Sequence, residues 1–288
     1  MKLIYNKIFL KHKAINHPEC PERLSYFDKN IKETKLENGE KYLNLIYDKD
    51  YIKSIKNASE KELSLDADTY ANRYSYESAC YAVAASVKAS KENNFALCRP
   101  PGHHAAKNRA MGFCLFNNIT IAAQNLVNEG KKVFILDFDS HSGNGSQDIF
   151  YDTDEVLLLS IHQFPAYPGT GWFEEIGHGK GEGFTINIPL PPYTADDLFL
   201  GSLNSVIPII KNQFKPDIVA VSAGFDGHHS DPLLQLNLTT NAYYAVGRLL
   251  SYNFNNIFAC LEGGYNIEFL HKNILDFVNG INKKSQQF

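Results

Sequence analysis

Short β-branched or apolar runs alternate along this chain with longer stretches in which apolar positions recur every three or four residues. The runs are Phe95–Cys98, Val133–Asp137, Val156–Ser160, Phe184–Ile188, Ile218–Ser222 and Ile257–Leu261. Residues apolar on both sides of an extended segment belong to strands buried on both faces. Helical patterns separate them over 74–92, 115–129, 196–213 and 239–253, the last opened by Thr residues of the kind that cap helices. Pro208 predicts a kink or break in the third of these. The alternation predicts an α/β fold with a mainly parallel central sheet and helices on both faces. No Pro/Ser-rich linker, low-complexity run or internal repeat divides the chain, so a single domain over residues 1–288 is expected.

In such sheets, ligands bind beyond the carboxyl ends of the strands, and that is where the polar residues gather. Arg99-Pro-Pro-Gly-His103-His104 follows the first run, Ser140-His141 follows Asp137-Phe138-Asp139, Gly-Phe-Asp226 follows Ala223, and Glu262-Gly-Gly-Tyr265 follows the last run. Four segments distant in sequence are therefore expected to meet at one sheet edge. Read as extended chain, Asp137, Asp139 and His141 share a face while Phe138 and Ser140 point away. Neighbouring carboxylate and imidazole donors suit Zn²⁺, with Asp226 the candidate third ligand and one position left open for water. Two oxygens and one nitrogen also suit Fe²⁺. Three carboxylates with His141 on one Zn²⁺ would be unusual, so Asp137 is assigned to orienting an imidazole. His103 and His104 are candidates for general base and acid, and Tyr265 for donating its hydroxyl to a developing oxyanion. The plainer alternatives are solvated strand-end acids, an ordinary polar His pair and a packing tyrosine.

Composition narrows the class. With 44% hydrophobic and 21% charged residues the chain is neither disordered nor fibrous. A net charge of −4 supplies no basic field for nucleic acid. Five scattered cysteines without CxxC spacing argue against a disulfide framework and favour a reducing cytoplasm. Charges interrupt every apolar run near the N-terminus, so neither a signal-peptide core nor a membrane span is expected. Oligomeric state leaves no signature.

Together the blocks Arg99–His104, Gly112-Phe-Cys114 with Asn117-Asn118, Asp137–His141 with Gly143-Asn-Gly145, Ser160-Ile-His162, Tyr167–Gly171, Ser222–Asp226 and Leu261–Tyr265 make the chain resemble the histone deacetylase and acetylpolyamine amidohydrolase superfamily, in its class II-like prokaryotic form. The resemblance begins at His17-Pro-Glu-Cys-Pro-Glu-Arg23. It implies an arginase/deacetylase-like fold and Zn²⁺ held by Asp139, His141 and Asp226. It further implies His104 as main general base and acid, supported by Asn144, with His103 and Asp137 as its electrostatic partner and Tyr265 on the substrate carbonyl. Phe113 and Tyr167 would be tunnel walls. Structural K⁺ would lie against Asp137, Asp139, His141, Ser160 and Ile161, and a second near Phe150, Thr153, Val156 and Phe184.

Asp68 resembles a rim carboxylate that holds substrate backbone. Leu233 follows Asp231-Pro232 where polyamine-selective relatives can carry Glu, which favours acyl-lysine in proteins or peptides over an acetylated polyamine. Ser142 stands where the family usually has a second His; strand parity turns it from the ligands, and a weakly catalytic, acyl-binding member is the alternative it raises. An arginase-like binuclear manganese site would want more ligands than this spacing supplies.

Overall fold

The computed structural model describes residues 1–283. Seven strands, β1 (Leu3–Ile4), β2 (Phe95–Ala96), β3 (Val133–Asp137), β4 (Val156–Gln163), β5 (Thr185–Leu190), β6 (Ile218–Ala223) and β7 (Ile257–Leu261), form one sheet in the order β1-β2-β7-β6-β3-β4-β5. Every neighbouring pair is parallel. The α-helices are α1 (Ser25–Asn30), α2 (Lys49–Lys61), α3 (Ser75–Glu92), α4 (Asn118–Val127), α5 (Asn144–Phe150), α6 (Asp196–Gln213), α7 (Thr240–Asn253) and α8 (Ile267–Asn282). Every residue of β3, β4 and β7 is buried, which requires cover on both sheet faces. One layer packs α3 against α4; the other packs α7 against α8 and α6. The result is a single α/β domain with an all-parallel sheet. No helix among the described residues is long and apolar enough to cross a membrane.

Several local expectations change. The ladder takes only the first two residues of the Phe95–Cys98 run, because the chain then enters the Pro-Pro loop. Helix α4 starts at Asn118, not Leu115, since Asn117 caps it by accepting the Thr120 N–H at 3.3 Å. Pro208 breaks nothing: α6 is continuous from Asp196 to Gln213. Phe199, Leu203, Ile207 and Ile210 anchor its buried face, and the carbonyl deprived of its partner belongs to exposed Asn204. Thr239 does not cap α7 through its side chain; its hydroxyl donates instead to Asp196 at 2.6 Å.

The strand order places the site. From β3 the chain builds outward through β4 and β5, then crosses back to lay β6 on the other side of β3. The carboxyl ends of β3 and β6 thus flank the topological switch point, where crossover connections diverge and leave a crevice. Phe138 and Phe225, each next to a site acid, pack 5.7 Å apart and join Tyr243 and Phe277 beneath that crevice.

The N-terminal segment is fixed to the same edge by buried charge. Glu19 is fully buried; Arg23 Nη1 donates to it at 3.0 Å, Arg99 Nη2 at 2.7 Å, and Arg99 Nε also bonds it. Arg23 also donates to the carbonyls of Glu262 and Gly264, at 2.5 and 2.8 Å. Burial pushes the Glu19 carboxyl up, but the two guanidinium groups override it and hold it at about 2. A depressed folded-state pKa contributes stability above the ordinary value and loses it as pH falls towards the folded one. Glu19→Gln leaves two buried cations under-compensated and is expected to cost about 3–5 kcal/mol, lowering Tm by about 6–15 °C at neutral pH. In thermal melts the gap to wild type should narrow as pH falls from about 4.5 towards about 2; a pH-independent Tm within about 2 °C of wild type contradicts this role.

Candidate active site

The loops after β2, β3, β6 and β7 converge at this edge. Asp139, His141 and Asp226 are buried, and one ligating atom from each lies within 4.8 Å of the others. His141 Nδ1 is 3.1 Å from Asp139 Oδ1 and 2.8 Å from Asp226 Oδ2. Strand parity is not what brings them together, because β3 ends at Asp137 and the chain bends thereafter. Side chains grip the backbone instead: Asp137 Oδ1 accepts the Asp139 N–H at 3.1 Å, and Asp226 Oδ1 accepts the Ser140 N–H at 2.8 Å. Gly263 N–H donates to Asp139 Oδ2 at 2.7 Å.

The donor set fits a divalent cation. Burial pushes the Asp226 carboxyl up, as does Asp139 beside it. Burial opposes charge on His141 too, yet the facing carboxylates raise its imidazole to about 10. The two acids therefore demand positive charge at Nδ1. A proton meets that demand, and so does a divalent cation, with Nδ1 then a neutral donor.

Beside this group stands the imidazole pair. The rings of His103 and His104 are 4.0 Å apart, and that of His104 is 5.8 Å from His141. His103 Nδ1 lies 3.1 Å from Asp137 Oδ2; burial lowers its pKa, but Asp139 and Asp137 prevail and lift it to about 10. His104 Nδ1 is 2.7 Å from Asn144 Oδ1, while burial, His103 and His141 hold its pKa well below 6.5. The acceptor at Nδ1 assigns the proton there and leaves the Nε2 lone pair available as a base. Glycine permits the packing: a Cβ at Gly112 (φ +55°) would lie 2.4 Å from His104 Cδ2, and one at Gly143 2.1 Å from Asp137 Oδ2.

The Tyr265 ring lies 5.7 Å from Phe113 and 5.1 Å from the Arg23 guanidinium carbon, and burial raises its hydroxyl well above 10. Tyr167 stands edge-on 5.3 Å from His104 and is 41% exposed, so one end meets the site and the other solvent. Phe113 takes its N–H to Thr69 Oγ1 at 3.1 Å, which draws the loop bearing exposed Asp68 against it. Leu233 is 37% exposed and bonded through its N–H to Asp231. Ser160 is the register partner of Asp137, with Ile161 next along the strand. A Cβ on Gly171 would touch both Ser142 Oγ and His162 Nε2, so the Ser142 hydroxyl lies against the Gly171 backbone. His228, two residues after Asp226, is buried against Phe269, while His229 is exposed.

Glu262, in the Leu261–Tyr265 block, has a role that the sequence pattern alone does not assign. Fully buried, its Oε2 accepts the N–H groups of Gly102 and His103 at 2.6 and 3.1 Å, setting the turn that carries both imidazoles. An acid ending an apolar strand was its available signal.

A buried Asp/His/Asp group that could hold a metal, with a His pair and a tyrosine beside it at a switch point, is an arrangement suited to hydrolysis. Residues 17–281 match the histone deacetylase domain family, and the chain belongs to it. A "Probable deacetylase" of Archaeoglobus fulgidus is 37% identical across 92% of this chain and 81% of its own length. The crystal structure of the HDA15 HD domain superposes with a TM-score of 0.90 at 30% identity, covering 98% of this chain and 89% of that one. An acetylpolyamine aminohydrolase from Burkholderia pseudomallei superposes at 0.86 with 28% identity, covering 98% and 99%.

A Cβ at Gly263 would lie 2.5 Å from Asp139 Oδ2 and 2.7 Å from Asp226 Oδ2. Gly263→Ala is therefore expected to weaken Zn²⁺ or Co²⁺ binding by about 10- to 100-fold in a competition titration. Wild-type affinity in that variant would contradict the assigned pocket.

Proposed function

We propose that the chain is a zinc-dependent deacetylase that hydrolyses the amide of acetyl-lysine, or a related acyl-lysine, in peptides or proteins. The observation that carries this reading is the neutral His104 base standing beside the Asp139, His141 and Asp226 donors in a chain of the histone deacetylase family. Those three residues would hold Zn²⁺, or Fe²⁺ in cells, which when bound supplies Lewis-acid polarisation of the carbonyl and acidifies water.

The chain's own groups supply the rest. His104 Nε2 takes a proton from the attacking water, and the charge so formed is shared with Asn144 through Nδ1. Tyr265 donates its hydroxyl to the carbonyl oxygen as negative charge develops there. The imidazolium then returns its proton to the leaving nitrogen as the C–N bond breaks, giving acetate and a free amine. Burial first, then the charge of His103 bound to Asp137, keeps His104 neutral before the reaction begins. Phe113 and Tyr167 grip the aliphatic stem of the substrate, with Asp68 and Leu233 at the rim. Asp137, Asp139, His141, Ser160 and Ile161 would also hold K⁺, a reading supported by the burial of Asp137 next to Ser160. Five free cysteines support a reducing cytoplasm.

Leu233 offers no charge to a polyamine, which favours acyl-lysine. Acetylated polyamine is the second reading, favoured by the close superposition on the Burkholderia enzyme and by exposed Asp68. Acetate release from Zn²⁺-loaded enzyme on both substrates separates them: a higher kcat/KM for the peptide is expected, and a higher value for the polyamine overturns the lysine assignment. Tyr265→Phe is expected to lower kcat about 10²- to 10³-fold with metal content unchanged; unchanged turnover removes the tyrosine from the mechanism.

A further inference from the structure

Tyr265 follows two glycines, and Gly264 has φ +115°, so the segment carrying the phenol has little intrinsic stiffness. Its carbonyls at Glu262 and Gly264 are held by Arg23. Its amide side is held by Asp231, a residue only 8% exposed. Asp231 Oδ2 accepts the Tyr265 N–H at 2.7 Å and the Asn266 N–H at 3.3 Å. The other oxygen, Oδ1, accepts the Leu233 N–H at 3.1 Å. Asn266 completes the connection by donating its side-chain amide to Ser230 at the carbonyl and Oγ, both at 2.9 Å, while its side-chain Oδ1 caps α8.

No cation pairs with Asp231 among the described residues. Burial and the nearby Asp226 push the Asp231 carboxyl up to about 7, and three backbone N–H groups oppose that rise. Two of those three groups lie on the tyrosine segment and one on the rim residue Leu233.

We propose that Asp231 is a positioning residue for the reaction: its carboxylate fixes the Tyr265 backbone so that the phenol is aimed at the substrate carbonyl, and it ties that aim to the rim at Leu233. This rests on the deacetylase reading above, and oxyanion donors act only when held in place before the charge develops.

The test uses the full-length, metal-loaded enzyme and the variants Asp231→Asn, Asp231→Ala, Tyr265→Phe and Asp231→Ala/Tyr265→Phe. Asp231→Asn keeps the volume but points an amide donor at N–H groups, so it serves if the alanine variant does not fold. Hydrogen exchange at the Tyr265 and Asn266 amides is expected to quicken about tenfold or more in Asp231→Asn, with β3 unchanged. Acetate release should show kcat reduced about 10- to 100-fold with KM within about threefold, and Asp231→Ala should add almost nothing to Tyr265→Phe. Unchanged amide protection, or losses that multiply in the double variant, overturns the proposal. A Tyr265→Phe enzyme with wild-type kcat instead overturns the deacetylase mechanism, while the exchange data still decide whether Asp231 holds the segment.

Discussion

Asp137, Asp139, Asp226 and Glu262 are all buried at one end of the sheet, and buried acids persist only where charge or donors meet them. Each is met differently. Asp137 faces the His103 imidazole; Asp139 and Asp226 face His141 and, with it, form a group that could hold a metal; Glu262 accepts two backbone N–H groups from the turn that bears the His pair. The same pairings that make these acids tolerable also divide the labour among the imidazoles. His103 is held charged by the carboxylates, and its charge in turn helps keep His104 neutral and basic.

The sheet and its aromatic bed make this concentration possible. Phe138 sits between Asp137 and Asp139, and Phe225 immediately precedes Asp226, so each ligand loop is anchored by a ring in the cluster with Tyr243 and Phe277. On the opposite side, Arg23 and Arg99 converge on Glu19 and bring the N-terminal segment against the loop after β7. The catalytic edge is thus clamped from below by packing and from the flank by buried charge.

Much of this was legible in the sequence, for identifiable reasons. β3, β4, β6 and β7 are buried on both faces and read as continuous apolar runs, while α3, α6 and α7 carry the helical period. The two-residue β1 leaves almost no pattern and gains its place only by pairing with β2. Helix α2 is rich in Lys and shows only a thin apolar stripe at Tyr51, Ile55 and Ala58, though Asp48 caps it. Helix α8 did carry a signal, an Asn266 cap followed by Leu270, Ile274, Phe277 and Val278 on one face. At the site, the grouping of Asp139 with His141 was foreseen for a reason the structure replaces: backbone bonds in a bend, not alternation along a strand. The Asp231 and Glu262 contacts depend on side chains reaching across 34 and 160 positions of sequence, which no local pattern records.

The most direct test of the central claim is acetate release from an acetyl-lysine peptide by enzyme stripped with a chelator and then titrated with Zn²⁺, with bound metal measured in the same samples. Turnover should be absent in the stripped protein and should rise in proportion to occupancy, levelling at about one ion per chain, in keeping with the one such group among the described residues, Asp139, His141 and Asp226. Full turnover by metal-free protein, or none at full occupancy, would contradict it.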